Sequence, residues 1–162
     1  AWSDQGDIDL HQVFDARTGK WTTAAPCPRA RNSAAGGVIG GKLYLVGGRR
    51  VGEGNSTQLD RYDPSTDRWE TLSPLPRGAA GLAAAVMDGR LYAFGGEGGP
   101  GVIADCWSYH PNTDRWTAEA PMRTPRHGLA AVTAGGRIYA VGGGIKESGG
   151  QVSDVVEVLG RT

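Results

Sequence analysis

The hydrophobic positions of this chain fall in short runs, each closed by glycine or proline, and the runs recur. Leu43-Tyr44-Leu45-Val46 ends in Gly47-Gly48, Leu91-Tyr92-Ala93-Phe94 in Gly95-Gly96, and Ile138-Tyr139-Ala140-Val141 in Gly142-Gly143. The three tyrosines stand 48 and 47 residues apart, and Trp21, Trp69 and Trp116 repeat at the same two spacings. A fixed period of this length predicts an array of supersecondary units that stack on one another to bury a shared core.

Each unit reads as four short strands, A to D. Strand A is small and apolar (33–39, 82–87 and 129–133), a composition that suits the crowded centre of a radial array. A dipeptide follows it each time, Gly40-Gly41, Asp88-Gly89 or Gly135-Gly136, which supplies the positive φ of a tight hairpin and so pins the A–B register. Strand B is the Tyr-bearing run, with β-branched and aromatic residues that favour a packed sheet. A variable glycine-rich loop comes next, longest at 49–57 and including Arg49, Arg50, Glu53 and Asn55. Strand C ends in Phe14, Tyr62 or Tyr109; in the last unit it is expected at 152–158, with Val158 in the aromatic place. A turn such as Asp63-Pro64-Ser65-Thr66-Asp67-Arg68 leads to strand D, which opens on the repeating Trp and is expected to close on the prolines Pro26, Pro74 and Pro121 of an outer edge.

Composition narrows the function. Glycine supplies 27 of 162 residues, more than double its usual share of about 7%. Zero net charge leaves no basic footprint for nucleic acid or an anionic membrane surface. No apolar stretch approaches the roughly 18 residues of a spanning helix. Cys27 and Cys106 fall in different repeats and read as small packing residues rather than a disulfide framework. The chain starts in mid-pattern without an initiator Met, as a fragment or a processed form would.

The double glycine after strand B, the Tyr-Asp-Pro-x-Thr-x-x-Trp turn and the proline-rich close resemble the kelch repeat, from about Ile8 to Leu159. The resemblance implies an all-β fold: a propeller segment of about three four-stranded antiparallel blades, half of a six-bladed ring. One segment is expected over 1–162, with a C–D partial blade at 8–28, full blades at 29–76 and 77–122, and an A–B–C partial blade at 123–159. Propellers close with about four to eight blades. A piece of a longer ring, a half that pairs with a second copy, and an open monomer all remain readings of this count.

Candidate chemistry is sparse. His11, His110 and His127 occupy different phases of the repeat, in strand C, in a turn and at the start of strand A, so no metal centre is expected. No catalytic residue and no cofactor is predicted. Arg31 and Arg126 share one phase, thirteen residues before the strand B tyrosine; Ala79 takes that place in the middle unit, with Arg77 two residues earlier. The resemblance places such arginines near the pore mouth, where bidentate pairing would select acidic groups; the same residues could instead tie neighbouring blades together. The ligand-facing candidates are Arg31, Arg77, Arg126, His127, Arg49 and Arg50. The reading is a non-catalytic binding or scaffold module for a protein or peptide partner, with self-association into a six-bladed ring. The alternative is part of a small-molecule or carbohydrate-active enzyme on the same propeller.

Overall fold

The computed structural model describes residues 2–3, 6–147 and 151–160 of the chain. In chain order the strands are β1 (Trp2–Ser3), β2 (Gly6–Asp7), β3 (His11–Asp15), β4 (Lys20–Ala24), β5 (Ala35–Ile39), β6 (Lys42–Val46), β7 (Arg49–Arg50), β8 (Gly54–Asn55), β9 (Leu59–Asp63), β10 (Arg68–Leu72), β11 (Ala83–Met87), β12 (Arg90–Phe94), β13 (Cys106–His110), β14 (Arg115–Ala118), β15 (Ala130–Ala134), β16 (Arg137–Val141) and β17 (Val156–Leu159). Two sheets are complete four-stranded blades, β5-β6-β9-β10 and β11-β12-β13-β14. The pair β3-β4 supplies strands C and D before them, and β15-β16-β17 supplies A, B and C after them. We number these sheets I to IV along the chain. All their ladders are antiparallel.

Turn chemistry sets the register. The A–B turn residues Gly40, Gly41, Asp88, Gly89, Gly135 and Gly136 all have φ between 51° and 76°, the left-handed pair that a two-residue hairpin needs. Four sequence expectations shift. Ser33 has φ 55°, so the first strand A starts at Ala35. Strand D ends at Ala24, Leu72 and Ala118, and the prolines follow it; with no donor to give the ladder, they lie outside it. His110 closes β13 instead of standing in the turn. In the last blade Val158 pairs with Tyr139, while Leu159 faces Ile138 as Tyr62 faces Leu43 and Tyr109 faces Leu91. The aromatic place therefore belongs to Leu159, one residue beyond the sequence assignment.

The core lies between blades. Tyr44, Val46, Leu59, Leu75, Leu82, Leu91 and Tyr109 fill the joint of blades II and III. Met87, Tyr92, Phe94, Cys106, Met122 and Ile138 fill that of III and IV. Full burial of a side chain of this size is worth roughly 1.5–3 kcal/mol. Small residues let the inner strands meet: a Cβ at Gly37 of blade II would stand 2.7 Å from Val86 Cγ2 of blade III.

A polar clamp reinforces the joints of blades I and II and of blades II and III. Trp69 Nε1 donates to the Ala25 carbonyl (2.9 Å), and Asp67 Oδ1 accepts from Ala25 N–H and from Tyr62 O–H, both at 2.8 Å. One blade later Trp116 Nε1 donates to the Ser73 carbonyl (2.9 Å), and Asp114 Oδ1 accepts from Ser73 N–H (2.9 Å) and Tyr109 O–H (2.7 Å). The recurring Trp, Tyr and Asp thus grip the tail of the preceding blade. Further in, Gly81 N–H donates to Ser33 O (2.8 Å) and Gly128 N–H to Gly81 O (2.7 Å), a chain of backbone bonds running from blade to blade.

Candidate functional site

The B–C loops and the D–A junctions meet on one face. The residue after each double glycine bridges to the residue after the arginine phase: Arg49 to Asn32, Glu97 to Ala80, Gly144 to His127. These bridges bring side chains of three blades together. Glu97 is the hub. Its Oε2 lies 2.7 Å from Arg49 Nη1, its Oε1 lies 3.4 Å from His127 Nδ1, and its backbone carbonyl accepts from Asn55 Nδ2 at 2.7 Å. His127 Nε2 lies 2.8 Å from the Lys146 carbonyl. Sequence reasoning missed Glu97; its signal was the alignment with Arg49 directly behind the double glycine.

The longest loop folds into a hairpin, β7-β8, with Arg49 opposite Asn55 and Arg50 opposite Gly54. Asp7 braces it. Its Oδ2 accepts from Val51 N–H (2.9 Å) and its Oδ1 from Asn32 Nδ2 (2.7 Å). The Asn32 amide first, then the Val51 N–H, hold the Asp7 carboxyl below its ordinary value. Arg50 pairs with Glu53 at 2.9 Å. At the tip Val51 is exposed, as are Ile145 and Val152 on the corresponding loop of blade IV. The face therefore combines fixed charges with scattered apolar contacts on a braced scaffold.

The candidate arginines divide into two groups. Arg31 is buried, with Nη2 2.8 Å from Asp60 Oδ2 and 3.2 Å from the Leu45 carbonyl. Arg126 is buried too; its Nη1 donates to the Gly142 and Val155 carbonyls, both at 2.7 Å, and its Nη2 lies 3.6 Å from Glu157 Oε1. Burial raises the Glu157 pKa, but the Arg123 and Thr124 N–H groups and the Arg126 charge outweigh it and hold the carboxyl below its ordinary value. Asp60 and Glu157 occupy one ladder place, opposite Leu45 and Ala140. In blade III that place holds Trp107, opposite Ala93, and the arginine phase holds Ala79. Acid and arginine are absent together there. Arg77 instead reaches outward, 3.3 Å from both Asp105 Oδ2 and the Gly98 carbonyl. Arg49, Arg50, Arg77 and His127 thus belong to the loop face, whereas Arg31 and Arg126 point into their own blades.

The other candidate groups lie apart. His11 packs edge-on against Tyr62 and Trp69. Burial, with Glu119 nearby, pushes the Cys106 thiol up to about 12, which keeps it protonated and unreactive. Among the described residues no three His, Cys, Asp or Glu side chains form a metal-binding group. The sequence model of the KLHDC2/KLHL20/DRC7 Kelch-repeats domain matches residues 3–158. No curated protein matches the chain.

Proposed function

Because the chain belongs to the kelch-repeat domain family of that match, we propose that it is a non-catalytic module that binds a protein or peptide partner on its loop face. Kelch domains generally mediate protein–protein interaction. The observation that carries the reading is the Arg49–Glu97–His127 relay, which fixes loops of three blades into one surface beside an exposed, braced hairpin. Binding residues set on a rigid scaffold lose little freedom on association. Arg50, Arg77 and the hairpin tip remain exposed for a partner.

Peptides selected from a random displayed library on the intact chain provide the test. Arg50→Ala and Val51→Asp should each weaken the selected peptides about tenfold or more, with thermal unfolding unchanged, since both side chains are exposed. Peptides indifferent to both changes would remove the loop face as the site. Saturable binding of a sugar acid, with no peptide selected, would favour the small-molecule reading instead.

We propose in addition that the chain associates with itself to close a ring. The support is the blade count: the described sheets amount to fewer blades than the roughly four to eight of a closed ring, and a second copy or further residues of the same chain would supply the rest.

A further inference from the structure

The A–B and C–D turns lie at the ends of the blades opposite the loop face, and there blade III departs from its neighbours. In blade II the last rung before the C–D turn sets a carboxylate between two bases. Asp63 stands opposite Arg68 in the ladder, and on its other side its Oδ2 lies 2.7 Å from Lys42 Nζ. Its Oδ1 accepts from Ser65 N–H at 2.9 Å, so the same group closes the turn. Lys42 first, then Ser65, hold the Asp63 carboxyl well below its ordinary value. Blade I keeps the turn contact: Asp15 stands opposite Lys20 and accepts from Arg17 N–H at 2.8 Å.

Blade III replaces the acid with a base. His110 takes the place of Asp63, opposite Arg115, and Arg90 takes that of Lys42, one step beyond the pair of Leu91 and Tyr109. Side chains paired across antiparallel strands share a face of the sheet, so Arg90, His110 and Arg115 form a row with no carboxylate in it. Neither arginine has an ion pair among the described residues. Asp88 in the A–B turn is exposed and pairs with neither, and Asp114 is committed to Ser73 of blade II. The Asn112 N–H, which corresponds to the Ser65 donor, has no acceptor among the described residues. His110 Nδ1 is enclosed and likewise without a hydrogen-bond partner.

We propose that this end of blade III binds an oxyanion, a carboxylate or phosphate group, in the place that the Asp63 carboxylate holds in blade II. Arg90 offers a planar fork where Lys42 offers a point charge, and a fork matches two oxygens of either anion. The Asn112 N–H supplies a directional donor, and Arg115 adds a second charge across the strand. Asn112 and Arg115 are exposed, so a ligand reaches the place from solvent. Every group in it belongs to one complete blade with a neighbour on each side. The site is separate from the peptide surface, at the other end of the blades.

Sodium phosphate and sodium acetate, titrated separately into the intact chain at constant ionic strength, read the site through backbone amide NMR. The Asn112 amide should shift to saturation, whereas that of Ser65, whose N–H already has its carboxylate, should not. Arg90→Gln should raise the half-saturation concentration at least about tenfold. His110→Asp puts the blade II carboxylate back. It should abolish the response and, with no anion added, shift the Asn112 amide as a new acceptor would. That variant keeps the test sharp if Arg90→Gln disturbs folding, because it recreates a rung the chain already builds. Saturation by either probe supports the site, and the tighter of the two names the group it takes. Asn112 shifts that are absent, that never saturate, or that survive His110→Asp unchanged would overturn it.

Discussion

Arg126 and Glu157 show what a buried charge does in this molecule. The guanidinium is fully enclosed, and its hydrogen bonds go to the carbonyls of its own blade. Arg126→Ala would leave the Glu157 carboxylate facing a void, a change that costs about 3–5 kcal/mol when one partner of a buried pair is lost. Chemical denaturation should read that loss. A variant of full stability that fails to bind a selected peptide would instead put Arg126 in the binding site. The arginine phase was legible, since Arg31 and Arg126 align on the strand B tyrosine. The direction of the side chains was not. Their acids lie on strand C, and placing Val158 in the aromatic position hid the equivalence of Glu157 and Asp60. Only the ladder makes that equivalence visible, together with the paired absence at Ala79 and Trp107.

Between elements, the joint is the unit of stability. The recurring Trp and Tyr were evident as a pattern, but the reach of Asp67 and Asp114 out of their own turns was not. Asp63 caps its own turn, accepting from Ser65 N–H at 2.9 Å, whereas Asp67 and Asp114 reach across to the preceding blade. Such a contact joins residues 41 and 42 apart, beyond what a local turn pattern can reveal. Both carboxyls lie below the ordinary 3.8, Asp67 chiefly through the Ala25 N–H and Asp114 chiefly through the Tyr109 O–H. A depressed carboxyl contributes stability that is present above the unfolded value and lost as pH falls through the folded one. The clamps should thus hold at pH 5 and release below about 3.8. Protection factors of the Ala25 and Ser73 amides should fall over that range before that of Cys27, which donates to the Asp9 carbonyl. Unchanged protection after both carboxyls have titrated, as followed by NMR of their side chains, would remove the carboxylates from the joint.

At the scale of the whole chain, two complete blades sit between two unfinished ones, and the core between them is sealed on the inside only. The blade count was legible because the repeat can be counted along the chain. Closure was not, because a count of repeats does not say what supplies the remaining blades of a ring. Solution mass, measured by light scattering during size exclusion over a range of concentrations, tests the closing of this array most directly. A mass near twice 16.9 kDa is the result that self-association predicts. A single 16.9 kDa species at every concentration would contradict it.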